Sequence, residues 1–166
     1  MRVLLKLVLD CPPDDAWRAI RSSKVFRQVS GPFTTFESLE VGGFPDLWPE
    51  GEHPVRVKAF GIVPMGDQLI DISLPQRSDG VRVVRDFGRG LSGRLAAVTL
   101  WQHTMAVSPA RDGRTLYRDQ LRFEAGAMTL PLWVIFWVFW QWRALQLRRL
   151  ASGWGRVRPG AGAAPS

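Results

Sequence analysis

His103, Tyr117 and Asp119 carry the sharpest chemical signal in the chain. They fall in two alternating apolar stretches, 95–107 and 115–125, joined by the turn-rich segment SPARDGR at 108–114. Such stretches read as paired antiparallel strands. Pairing Val107 with Thr115 sets Met105 against Tyr117, His103 against Asp119, Trp101 against Leu121 and Thr99 against Phe123. Successive side chains alternate between faces, so all of these residues share one face. That face is apolar apart from the His103–Asp119 pair and the Tyr117 hydroxyl. Arg118, Gln120, Arg122 and Glu124 fall on the other face, toward water.

A carboxylate beside an imidazole can orient the ring for proton transfer or for holding a polar ligand group. The plainer account is a mutually satisfied pair that fixes sheet register, because buried polar groups need partners. No serine or cysteine is placed beside the pair, so a triad has no support. His103 and Asp119 are the catalytic candidates, and Trp101, Met105, Tyr117, Leu121 and Phe123 are the expected ligand-binding neighbours. Arg85, Asp86 and Asp71 are further polar candidates. Asp71 shares a strand face with Ser73, opposite the more apolar face of Ile70, Ile72 and Leu74.

Other motifs carry less. Gly88-Arg89-Gly90-Leu91-Ser92-Gly93 lacks the lysine of a phosphate loop and does not open a helix. Cys11, the single cysteine, follows an acid and precedes two prolines, with nothing to activate it. With two histidines and one cysteine no metal site is expected, and no cofactor is implied.

The elements that must position the pair read off in order. Val3, Leu5, Leu7 and Leu9 make one apolar face of a first strand. Pro13-Asp14-Asp15 opens a short helix carrying Trp17 and Ile20, and Lys24 to Val29 forms a second. Strands are expected at 33–41, 55–64, 68–74 and 81–87, with a tight hairpin at Met65-Gly66-Asp67. The segment 42–54 is a Gly/Pro-rich loop anchored by Phe44, Leu47 and Trp48.

The last element is a long helix, Thr129 to Leu150, with Thr129 as N-cap, Pro131 in the first turn and Gly153 as the stop. Arg143, Arg148 and Arg149 crowd its C-terminal end, where cations suit the helix dipole. Trp133, Phe136, Trp137, Trp140 and Ala144 form one stripe, and the first four join the expected ligand-binding set. Leu132, Ile135, Phe139, Trp142 and Leu150 form a second stripe, so the helix is apolar nearly all round. A single sheet face cannot cover that. The 42–54 loop, a second subunit or a membrane surface must supply the rest.

The 166 residues suit one domain, and the net charge is +7, with nineteen arginines among the 22 basic residues. The basic residues are scattered among acids and accompany no nucleic-acid-binding motif, so nucleic acid is excluded as a partner. Ala125 to Trp142 is free of charge and touches the length of a membrane span, but its tryptophans sit mid-run rather than at the ends. Lys6 and Asp10 interrupt the N-terminal apolar run, so no signal sequence is read there and a cytoplasmic protein is expected.

The order is strand, two short helices, six strands, then one long helix. Together with PPDDAWRAI, FGIVPMGDQLI, WQHTMAV and GRTLYRDQLRFEAG, it resembles the START-like, polyketide cyclase/dehydrase (SRPBCC) superfamily over roughly residues 1–152. The resemblance implies a helix-grip fold: a curved seven-stranded antiparallel sheet closed by the terminal helix around a cavity. The tail at 153–166 has few apolar groups and is expected to be disordered. The resemblance also implies a hydrophobic or amphipathic, lipid-like ligand held between helix and sheet. Two alternatives stand beside that expectation. One is cyclase- or dehydratase-type acid–base chemistry by His103 and Asp119. The other is dimerisation or membrane-surface contact through the aromatic helix.

Overall fold

The structure is a computed structural model and describes residues 1–154. Strand β1 (Arg2–Leu9) buries Val3, Leu7 and Leu9 and exposes Arg2, Leu4, Lys6 and Val8, as its alternation requires. Helix α1 (Pro13–Ile20) follows, with Pro13 in its first turn and Asp14 and Asp15 near its positive end. Helix α2 (Ser23–Ser30) is capped by Ser22, whose Oγ accepts the Val25 N–H at 3.4 Å.

The remaining strands are β2 (Thr34–Ser38), β3 (Gly51–Ala59), β4 (Val63–Ser73), β5 (Arg82–Asp86), the two-residue β6 (Arg89–Gly90), β7 (Leu100–Pro109) and β8 (Thr115–Glu124). Helix α3 (Thr129–Trp154) ends the described chain. All strand pairings are antiparallel in the order β1-β8-β7-β5-β4-β3-β2, with β6 added beside β4. The α+β helix-grip architecture is therefore the one the sequence led us to expect. It has seven main strands and one very short extra.

Four local expectations are corrected. The β3–β4 hairpin turns at Phe60-Gly61, both with positive φ (52° and 75°), rather than at Met65-Gly66-Asp67. Gly66 instead lies within β4, at a bulge where the register shifts between Val57 and Lys58. A glycine marks special backbone without saying whether that backbone is a turn or a bulge.

The β7–β8 register differs by two residues: Pro109 pairs with Thr115, Val107 with Tyr117, and His103 with Leu121. The turn is tighter than the sequence suggested, closed by the Ala110 N–H donating to the Arg114 carbonyl at 2.8 Å. A slip of two preserves facing, whereas a slip of one would have inverted it.

Thr129 is helical rather than an extended N-cap, and its Oγ1 accepts the Ala125 N–H at 2.8 Å. Finally, α3 runs through Gly153 to Trp154. Gly153 is no stop, and the expected tail lies from residue 155 outside the described residues.

The glycine run at 88–93 is a packing device. A Cβ on Gly88 would overlap the Leu69 carbonyl oxygen in β4, and one on Gly90 would overlap the Leu95 carbonyl. Only glycines let this segment press against its neighbours. Gly88→Ala should cost on the order of 2 kcal/mol, because backbone must move to admit one methyl group. A chemical-denaturation midpoint unchanged from wild type would contradict this packing role.

Candidate functional site

Two cores lie on the concave side of the sheet. One, under the N-terminal half of α3, is closed by rings: Phe136 meets Phe123 at 4.8 Å and Trp101 at 5.7 Å between centroids. Val3, Leu121, Leu132, Trp133 and Phe139 complete it. The other lies under the C-terminal half, where α1 and α2 join the sheet against the smaller Ala144, Leu147 and Ala151. A cavity of about 40 Å³ remains, walled by apolar side chains such as Phe26, Trp48, Ile72, Met105 and Leu147. Its polar lining is Asp86, His103, Tyr117 and Arg143.

His103 and Asp119 are joined although they are not cross-strand partners. Asp119 faces Met105 in the register, and the His103 Nε2–H reaches it diagonally, at 2.8 Å from Oδ1. Asp119 Oδ1 also accepts the Trp140 indole N–H at 2.9 Å, and Oδ2 accepts the Tyr117 hydroxyl at 2.7 Å. Asp86 lies opposite His103 in the register of β5 and β7. It accepts three N–H groups, from the Asp71 and Gly88 backbones at 3.0 and 3.1 Å and from the Trp101 indole at 3.1 Å.

Arg143 completes the cluster from α3. It is only 5% exposed, and its Nε finds no hydrogen-bond partner among the described residues. Its guanidinium lies over the rings of Trp140 (5.3 Å) and Phe139 (5.9 Å).

The electrostatics follow from burial and these contacts. Burial alone would raise the Asp119 carboxyl, but the His103 ring, Arg143 and the Tyr117 hydroxyl outweigh it and hold it at about 2. Asp119 is thus an orienting carboxylate, ionised at any ordinary pH. Burial pushes the Asp86 carboxyl up, opposed by His103 and the N–H groups it accepts. Burial and then Asp119 push the Tyr117 hydroxyl well above the ordinary tyrosine value, so it remains a donor.

One consequence is an acid limb. A carboxyl lowered on folding stabilises above its unfolded value, near 4, and that contribution is lost as pH falls toward 2. The loss is on the order of 2–3 kcal/mol, and Asp86, shifted the other way, offsets part of it. Asp119→Asn should abolish the fall between about pH 4 and 2, measured by urea unfolding across that range. An unchanged acid limb would show that Asp119 does not carry it.

The sequence-derived set is only partly gathered here. His103, Met105 and Tyr117 line the cavity, and Asp119 supports it from behind. Trp101, Leu121, Phe123, Trp133, Phe136 and Trp140 pack instead in the ring-filled core. Trp137 is 47% exposed and faces away from the sheet. Of the other polar candidates, Asp86 faces inward, Arg85 is exposed and Asp71 contributes its backbone.

Arg143 was misread. The helix continues eleven residues past it, so it sits mid-helix rather than at the dipole's end. Its spacing of three from Trp140 and four from Leu147 placed it on the buried stripe, and that was the available signal.

The 42–54 loop does not cover the outer face of α3. Trp48 is buried against Phe26 and Phe44, and its N–H bonds back to the Arg21 carbonyl. Leu130, Val134, Ile135, Trp137, Val138 and Leu145 remain exposed. No described helix is long and apolar enough to cross a membrane. Cys11 is buried with its thiol raised chiefly by that burial. No group of three metal-ligating side chains occurs among the described residues.

No family model and no curated protein matches the chain. The comparison with solved structures is informative. A structural-genomics protein of Chromobacterium violaceum aligns over 91% of this chain and 96% of its own, at 18% identity and a TM-score of 0.65. Norcoclaurine synthase of Thalictrum flavum, in complex with a transition-state analogue, aligns over 91% and 93%, at 14% identity and 0.60. The Aha1 dimer of Colwellia psychrerythraea aligns over 92% and 96%, at 8% identity and 0.57. The chain shares the helix-grip fold of these neighbours. At such identities the likeness establishes fold alone.

Proposed function

We propose that the protein binds a small apolar or amphipathic molecule in the cavity between α1, α2, the sheet and the C-terminal half of α3. One observation carries this reading: ionisable side chains from three strands and α3 converge on a space with otherwise apolar walls. Apolar walls with a few convergent polar groups are the usual make-up of a small-molecule site. A cluster that served stability alone would gain little from a void, since buried charge is costly and space adjoining it adds no contact. The cavity accommodates about three water molecules or one small polar head. In this reading a longer apolar tail requires α2 and α3 to part, against their packing and the Trp142 indole N–H bond to the Gly31 carbonyl at 2.7 Å.

Binding fits the cluster better than catalysis. Asp119 has its oxygens engaged, Tyr117 is held protonated, and no serine, cysteine or lysine lines the cavity among the described residues. Native mass spectrometry of protein purified from cells tests the reading. It should show a small molecule released on denaturation, and its occupancy should fall in Met105→Trp, which fills the cavity. Protein that is empty from every growth condition would count against it.

A further inference from the structure

We propose that the cavity holds its ligand by a carboxylate head group, recognised by the guanidinium of Arg143. This rests on the ligand-binding reading above and names the chemistry of its polar end. The argument is an inventory of donors and acceptors. Arg143 is permanently charged and carries five N–H donors in a planar fork with no acceptor. It is 5% exposed, lines the cavity and leaves its Nε–H without a protein partner among the described residues.

The nearby carboxylates do not fill that need. Asp119 supplies the balancing charge, but its oxygens already take His103, Trp140 and Tyr117. Asp86 takes the Asp71 and Gly88 backbone N–H groups and the Trp101 indole. Both carboxylates of the cavity are therefore engaged, and the acceptors left to Arg143 are uncharged, chiefly the Tyr117 hydroxyl oxygen. A buried, unpaired charged donor costs more than a neutral one, so the missing group matters energetically.

Shape and charge narrow the acceptor. The guanidinium lies over the Trp140 and Phe139 rings, which offer it π-faces and no carboxylate-like acceptor. A guanidinium edge matches a carboxylate with two parallel hydrogen bonds, where a carbonyl or alcohol takes one. The volume of about 40 Å³ admits such a head and little else. Burial of Asp86, which favours its neutral form, eases the entry of a further anion. An ammonium head brings no acceptor and would place a second cation beside Arg143.

Three probes with the same tail test this by calorimetry: octanoate, octanol and octylamine. Octanoate should bind wild type about ten- to a hundred-fold tighter than octanol, the worth of a charge-assisted hydrogen bond, and octylamine should be weakest. Arg143→Met should lose the octanoate advantage and keep octanol affinity. Arg143→Lys, if Arg143→Met does not fold, should keep only part of that advantage. In wild type, the Arg143 Nε–H resonance should shift on adding octanoate and not octanol.

Equal affinity for octanoate and octanol, or an Nε–H resonance indifferent to octanoate, would overturn the carboxylate proposal while leaving the ligand-binding reading intact. Binding of none of the three would overturn both.

Discussion

Asp119→Leu should destabilise the protein by about 3–5 kcal/mol, the cost of breaking a buried charge pair from one side. Asp119 is 2% exposed and accepts hydrogen bonds from His103, Tyr117 and Trp140. Its loss strands three donors and removes a carboxylate whose charge interacts with the buried Arg143 guanidinium. The double variant Asp119→Leu/Arg143→Met should recover part of that loss, because removing both charges avoids the uncompensated one. Urea unfolding of the two single variants and the double gives the coupling. Simple additivity would show that Arg143 is not balanced by Asp119 and would remove the electrostatic basis of the site.

The second large effect concerns α3, whose two tryptophans at 137 and 140 look alike in sequence. Trp140 is 1% exposed and touches the His103 ring at 5.4 Å, Phe139 at 5.6 Å and Phe136 at 6.2 Å between centroids. It also donates to Asp119. Trp140→Ala should therefore cost about 3–5 kcal/mol, with a further disturbance of the carboxylate. Trp137→Ala should change stability by no more than about 0.5 kcal/mol. Thermal unfolding of the pair decides it. Equal losses would mean that the outer face of α3 is covered in solution by something absent from the single chain.

That contrast marks where the sequence was legible. Strand alternation in β8 assigned faces most clearly, because Arg118, Gln120, Arg122 and Glu124 alternate with the buried side chains from Tyr117 onward. His103, Tyr117 and Asp119 followed from that parity, and it survived a two-residue error in register. Helix α3 was less legible because its N-terminal half offers no polar residues to mark the outer side. Trp137 and Trp133 then seemed to share one stripe, although four residues apart on a helix accumulate about 40° of drift.

The place of the cavity was not legible at all. It depends on how α1, α2 and the C-terminal half of α3 meet the sheet, around Ala19, Val29, Val84 and Leu147, and not on where large side chains gather. Aromatic density pointed to the N-terminal half of α3, and there the rings pack against one another. Arg143 was hidden for a related reason: a basic residue near a run of arginines reads as solvated. Only its phase against Trp140 and Leu147 distinguished it from the exposed Arg148 and Arg149.

The central claim is that the space under the C-terminal half of α3 is a binding site, not a packing defect. Ala19 lines it from α1 and is 7% exposed. Ala19→Leu fills it with methylene and methyl groups while keeping a good helix former at that position. The most direct measurement is an NMR shift titration of octanol into wild type and Ala19→Leu. Wild type should bind one equivalent, with shifts at Met105 and Leu147, and Ala19→Leu should not bind, while its unfolding temperature is retained or raised. Identical binding by both proteins, or none by either, would contradict the account.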